Sequence, residues 1–157
     1  MGIVLARIDD RLIHGQVMTS WLNYTGANRI VIVDEETAND PFLKMIVTSV
    51  APANIKTEVF GLEEGAEALT SLGATDQAIV LVKTPHVYVE LLKRGVRLER
   101  VNIGGMGAKE GRTKLYKNIS ASDEERGWFK ELMSQGIQVS IQIIAEDKSI
   151  DVSKLVS

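Results

Sequence analysis

The chain has 157 residues, 45% of them hydrophobic and 25% charged, with a formal net charge of −3 and no cysteine. That length suits one compact domain over residues 1–157, the mixed charge argues against a nucleic-acid binder, and the lack of cysteine excludes disulfides, thiolate metal sites and thiol nucleophiles. The opening run Met1 to Ala6 is cut by Arg7 and Asp9, which does not fit a secretory leader, and no segment approaches a membrane span, so a cytoplasmic protein is expected.

The pattern alternates short runs rich in Val and Ile with longer stretches of helical period. Ile3 to Ile8 reads as the first strand, followed by a polar loop and a helix from Gln16 to Tyr24 that stops at Gly26. Arg29 to Val33 is the second strand. Asp40-Pro41 then opens a helix, with Asp as N-cap and Pro at the first helical position. Thr57 to Phe60 is a strand, Glu63 to Leu72 a helix ending at Gly73, and Ala78 to Val82 a strand. Thr84-Pro85 starts a helix that ends at Gly95, and Val101 to Ile103 forms the next strand. Gly104 to Ala121 is irregular, with four of the thirteen glycines. Ser122 and Glu125 have capping-box spacing at the start of a helix ending at Gly136, and Val139 to Ile144 is the last strand. Several strands are apolar at consecutive positions, as strands covered on both faces are. Strand–helix alternation then predicts an α/β fold: a Rossmann-like, doubly wound, mostly parallel sheet with helices on both faces. Ligands of such sheets bind beyond the carboxyl ends of the strands, which gathers the loops after Ile8, Val33, Val82 and Ile103.

The loop after the first strand, Asp9-Asp10-Arg11-Leu12-Ile13-His14-Gly15, carries the chemistry. A neutral imidazole can accept and release a phosphoryl group, and the charge spread over the transferred oxygens requires donors and cations nearby. His14 is the candidate nucleophile. Arg11 offers a planar fork for phosphate, with Arg7 as a second cation. Asp9 or Asp10 could accept from one ring nitrogen and present the other. Leu12, Ile13, Gly15 and Gln16 complete a phosphoryl-binding loop whose backbone N–H groups lead into the helix start, Gly15 letting the backbone pass close to the phosphate. Thr84, on the loop after the fourth strand, could donate a hydroxyl. His86, at another helix start without flanking acids or arginines, reads as structural. No metal or other cofactor is called for.

Other motifs point elsewhere. Gly104 to Thr113 misses the spacing of a Walker loop, because Gly105 leaves five residues before Gly111, Gly107 leaves three, and Arg112 replaces the lysine. Asp34-Glu35-Glu36 lacks the histidines or spaced acids of a metal site. Trp21 and Trp128 read as core or interface residues, and Met45 and Met133 as core filling.

The run Ala6-Arg7-Ile8-Asp9-Asp10-Arg11-Leu12-Ile13-His14-Gly15-Gln16-Val17 resembles the signature of IIB proteins of the mannose, fructose and sorbose family of the bacterial phosphoenolpyruvate-dependent sugar phosphotransferase system. The resemblance extends through Arg29 to Glu36 with Asp40, Val50-Ala51-Pro52, Gly95-Val96, Val101 to Met106, Gly111, Lys114 and the Ser122 helix start. It implies that His14 accepts a phosphoryl group, at Nδ1, from a phosphohistidine of a IIA partner. The group then passes to a sugar entering through membrane IIC and IID subunits, with the chain peripherally associated with that complex. Mannose, fructose, sorbose and N-acetylgalactosamine stay open as the sugar, and a homodimer is compatible with the reading. Arg11 and Asp10 are then the leading supports of the phosphoryl group, with Arg7 and Asp9 behind them. Arg7, Arg11, Lys109, Arg112 and Lys114 would form a basic docking rim. Two other readings compete: a regulatory phosphoprotein that signals through His14, and a non-catalytic nucleotide or small-ligand module bound near Gly104 to Gly111.

Overall fold

Each run of Val and Ile becomes a strand because β-branched side chains suit the pleated, doubly covered middle of a sheet. A computed structural model describes residues 2–156. Strands β1 (Gly2–Asp9), β2 (Arg29–Val33), β3 (Lys56–Phe60), β4 (Gln77–Val82), β5 (Arg100–Gly105), β8 (Gln138–Ile141) and β9 (Ile150–Asp151) form one sheet in the order β3-β2-β4-β1-β5-β8-β9. All neighbours run parallel except β9, which pairs antiparallel with β8 at the edge. β1 is thus central, between β4 and β5. The fold class is the expected one.

Helices cover both faces. On one, α4 (Leu62–Thr70), α5 (Pro85–Lys93) and α6 (Asp123–Ser134) bury Ala66, Leu69, Tyr88, Leu91, Phe129 and Leu132 against Val31, Val80 and Ile103. On the other, α1 (Gly15–Thr25) buries Val17, Met18 and Trp21 against Ile30, Ile32, Ile79 and Leu81. Successive strand residues therefore feed opposite cores, and each fully buried Val, Ile or Leu contributes roughly 1.5–3 kcal/mol. The caps follow the sequence. Asp40 accepts from the N–H groups of Phe42 and Leu43 ahead of α3 (Pro41–Val50), Ser122 and Glu125 form a reciprocal capping box, and Gly26 takes the left-handed conformation (φ 69°) that ends α1.

Three expectations give way. The irregular stretch holds an antiparallel pair, β6 (Thr113–Tyr116) with β7 (Ile119–Ala121). Short strands there carry too little periodicity to stand out. A four-residue helix, α2 (Glu35–Ala38), follows β2, capped by Asp34. Met45 is 60% exposed, because α3 packs through Val47 and turns Phe42, Met45 and Ile46 outward. Among the described residues no helix is long and apolar enough to cross a membrane.

Candidate phosphoryl-transfer site

The carboxyl end of β1 delivers two carboxylates and two arginines into the sheet's central crevice. Arg7 alternates onto the face covered by α1 and is fully buried, with its guanidinium 5.6 Å from the centre of the Trp21 ring. Its Nη1 donates to Asn102 Oδ1 (2.7 Å) and to the Gln142 carbonyl (3.1 Å), and its Nη2 to Asp9 Oδ2 (3.3 Å). Burial is the largest influence on this group and brings its pKa down to about 10 against the opposing pull of Asp9. Arg7 therefore stays charged at neutral pH inside the protein. It is a floor for the site and no part of a surface rim.

Asp9, 1% exposed, is the hub of the loop. Besides Arg7, it accepts from the backbone N–H of Arg11 (3.0 Å) and from Arg11 Nε (2.9 Å) and Nη2 (3.0 Å). Burial alone would raise its pKa, but the Arg11 hydrogen bonds and the two arginine charges outweigh that and hold it below the ordinary carboxylate value. These bonds also fold the chain back sharply, with Leu12 N–H on the Asp9 carbonyl (2.9 Å) and Leu12 at φ 61°. A non-glycine residue in that region is uncommon, and here burial of Leu12 and Ile13 in the α1-side core holds it. Leu12 and Ile13 are thus anchors of the loop, their side chains turned inward.

The result is an exposed His14. It occupies the N-cap position of α1 with extended backbone (φ −122°, ψ 117°), makes no side-chain capping bond, and gives its carbonyl to Met18 N–H. Among the described residues its ring has no hydrogen-bond partner or ion pair. The expected carboxylate–imidazole bond is not formed, because both acids are occupied. Asp9 holds the two arginines, while Asp10 Oδ2 accepts from Gly107 N–H (2.7 Å) and Arg112 Nη1 (3.1 Å). Arg112, with 1% of its side chain exposed, also grips Glu125, so it too is withdrawn from the expected basic rim, and Arg11, Lys109 and Lys114 remain exposed. Gly15 and Gln16 are exposed in the first turn of α1, and nothing stands within 4 Å of where a Cβ would be at Gly15. Thr84 is half-buried at the N-cap of α5, on the neighbouring β4 loop, and also lacks a side-chain capping bond.

The glycine turn has a different role from phosphate cradling. A Cβ at Gly104 would fall within the Arg7 guanidinium, and one at Gly105 would stand 2.5 Å from Asp9 Oδ1. The two glycines let β5 pass over the buried ion pair, which leaves no room for a nucleotide phosphate there. Apart from Asn102 interrupting the apolar run of β5, no local sequence pattern marks Asn102, Gln142, Gly104 or Glu125 as supports of the site. β8, expected to be the last strand and to reach Ile144, stops at Ile141 and is followed by β9, and the freed carbonyls of Gln142 and Ile143 accept from Arg7 and from Trp21 Nε1 (3.0 Å). A cleft of about 760 Å³ lies over β1, β5 and β8, lined by Trp21, Asn102 and Ser140 among others, and His14 is not on its wall.

Comparison with known proteins gives the family. Residues 3–157 match the family described as PTS system sorbose subfamily IIB component. The chain is 36% identical over 154 residues to the fructose-specific EIIB component of Bacillus subtilis (strain 168), covering 96% of this chain and 93% of that protein. It is 34% identical over 158 residues to the mannose-specific EIIAB component of Escherichia coli (strain K12), all of this chain matching 49% of that longer protein. The crystal structure of the IIBSor domain of the Klebsiella pneumoniae sorbose permease superposes with a TM-score of 0.92 at 32% identity, covering 99% of this chain and 96% of that one. A family match over residues 3–157, relatives above 30% identity along nearly the whole chain and a shared fold place the chain in one family: it belongs to the sorbose-subfamily IIB components of the phosphotransferase system.

Proposed function

We propose that His14 is the phosphoryl carrier of this IIB component, receiving the group from a phosphohistidine of IIA and passing it to a sugar. The observation that carries the reading is an exposed imidazole, without a partner among the described residues, on a loop whose acids and arginines are already locked together. In the first step a ring nitrogen of His14 attacks phosphorus as the donor's N–P bond breaks, and the donor imidazole leaves with its electron pair. In the second, a sugar hydroxyl attacks, its O–P bond forms as the His14 N–P bond breaks, and the hydroxyl proton goes to solvent or to the departing imidazole. Both transition states spread charge over three equatorial oxygens. Arg11 supports this assignment: its Nε and Nη2 are committed to Asp9, and Nη1 makes no hydrogen bond among the described residues, so one edge of the fork is left for a phosphoryl oxygen. The N–H groups at the start of α1 supply neutral donors, and Thr84 a hydroxyl. No step requires a cofactor.

IIB components work with IIA and membrane partners. On the present reading those partners are IIC and IID subunits, on which the choice of sugar largely depends, and the protein acts in the cytoplasm beside them, as one domain over residues 1–157 that could pair as a homodimer. Incubation with phosphoenolpyruvate, the general phosphotransferase proteins and IIA should place an acid-labile, base-stable phosphate on the chain. His14→Ala should abolish it and His86→Ala should leave it. A label that survives His14→Ala rejects the assignment.

A further inference from the structure

Arg112 has no place in the reading above, yet it is among the most deeply committed side chains near the loop. Its Nε and Nη2 fork onto Glu125 at 2.9 and 2.8 Å, and its Nη1 donates to the Gly107 carbonyl (2.8 Å) and to Asp10 Oδ2 (3.1 Å). Glu125 is itself spoken for, accepting from Ser122 N–H (2.9 Å) in the capping box of α6. Asp10 is tied at three points: its backbone N–H to the Gly105 carbonyl (2.9 Å), and its carboxylate to Gly107 N–H and to Arg112. One guanidinium therefore joins the histidine loop, the turn after β5 and the start of α6.

The two ends of this clamp are unequal. The Glu125 end is a close, bidentate and buried pair, whereas the Asp10 carboxylate is 36% exposed and its second contact, from Arg112 Nη2, stretches to 3.5 Å. Arg112 is thus anchored on α6 and reaches toward the loop with its remaining edge. A buried charged triad adds little stability over a packed apolar substitute, so its contribution is better sought in what it holds. Asp10 stands four residues before His14. A phosphoryl group arriving there brings about two negative charges, and an unneutralised carboxylate in the same loop would oppose it.

We infer that Arg112 is a positioning residue: anchored by Glu125, it holds and neutralises Asp10 so that the loop presents His14 and admits a phosphoryl group. The inference rests on His14 being the phosphorylated residue, which the His14→Ala labelling tests separately. The experiment is steady-state and single-turnover phosphoryl transfer from phosphorylated IIA to Arg112→Met and to the double variant Arg112→Met/Asp10→Asn. Misplacement on the ångström scale costs about a hundredfold, so Arg112→Met should lose roughly ten- to a hundredfold in kcat with little change in KM. Removing the Asp10 charge in the double variant should recover at least half of that loss on a logarithmic scale. A raised KM at unchanged kcat would mean a docking contact and would overturn the inference, as would a wild-type rate in Arg112→Met or no recovery in the double variant. Should Arg112→Met fail to fold, Asp10→Ala leaves the Arg112–Glu125 fork in place. It removes the contact together with the charge, so it should lower kcat roughly three- to tenfold, the part of the loss that the double variant keeps, in a protein that circular dichroism shows to be folded, and an unchanged kcat there would equally overturn the inference.

Discussion

The protein has two exposed histidines at helix starts that follow parallel strands, and they make opposite use of their surroundings. His86, on the first turn of α5, is held at the ring: its Nε2 lies 3.5 Å from Glu90 Oε2 and its centre 4.5 Å from that of Trp128. His14 is held everywhere except at the ring. Beneath it lie the Arg7–Asp9–Arg11 and Asp10–Arg112–Glu125 pairs, with Leu12 and Ile13 plugged into the core. A phosphoryl group approaching His86 would meet the Glu90 carboxylate, a like charge already competing for the ring. At His14 it would meet an open ring, with the nearby acids turned away and neutralised. On the proposed reading of His14, the difference teaches how a carrier histidine would be made: the groups around it are satisfied by one another, and its own ring is left without a partner among the described residues.

The strongest way to break this comparison is to remove the hub. Asp9→Ala would strand the buried Arg7 charge with only neutral acceptors, Asn102 Oδ1 and the Gln142 carbonyl. Loss of one partner from a buried pair costs about 3–5 kcal/mol, and urea unfolding should show a loss in that range. A cost below about 1 kcal/mol, the size of a surface pair, would mean that the layer beneath His14 is not what holds the loop. Gly104→Ala should follow at about 1–3 kcal/mol, the usual cost of overpacking, because its methyl would intrude on the Arg7 guanidinium. Gly107→Ala sharpens the contrast. Its Cβ would rest 3.7 Å from Asp10 Oδ2, an ordinary contact, and its cost should stay within about 0.5 kcal/mol.

Acid tests the same layer from another side. Burial would raise the pKa of Glu125, but hydrogen bonds from Arg112 and from Ser122 N–H reverse that and leave it lowered, as the arginine bonds do for Asp9. A carboxylate whose folded pKa lies below its unfolded value stabilises the fold in full above the unfolded value, and the contribution is lost as pH falls through the folded one. Stability measured by urea unfolding should therefore be level on this account down to the ordinary carboxylate range, about pH 4, and fall below it. Asp9→Ala should flatten that acid limb. A wild-type limb of unchanged slope in Asp9→Ala would assign the acid sensitivity to other groups.

Much of this arrangement was legible in the order of residues. Strand and helix positions followed from apolar runs and caps such as Asp40-Pro41 and Ser122 with Glu125, since those signals act within a few residues. His14 and its neighbours stood out for the same reason: the loop is contiguous in sequence. What could not be read was which acid pairs with which base. Asp10 meets Arg112 across 102 positions and Arg7 meets Asn102 across 95, and such partners are set by strand order, which local pattern does not contain. The withdrawal of Arg7 from the surface has the same origin. Its alternation within β1 was visible, but the polar floor of Asn102 and the Gln142 carbonyl that accepts it appears only when β5 and β8 are placed beside β1.

The smallest expected effect on phosphoryl transfer completes the comparison. His86→Ala removes a tilted aromatic contact with Trp128 and a long pairing with Glu90, whose carboxylate keeps Lys93 (3.2 Å) and Arg94 (2.9 Å) as partners. An aromatic contact of this kind contributes about 0.5–1.5 kcal/mol and an exposed pair less, so urea unfolding should register a loss near 1 kcal/mol. Glu90 has its pKa lowered first by the hydrogen bonds from Arg94 and Lys93, with His86 as the last and weakest influence, so the acid limb of stability should not shift. Transfer of phosphate from IIA should continue at the wild-type rate, because nothing beneath His14 runs through α5's first turn. A slowed transfer with intact stability would show that the two histidines share a docking surface, and that the contrast between them concerns partner contact as well as the bonding of each ring.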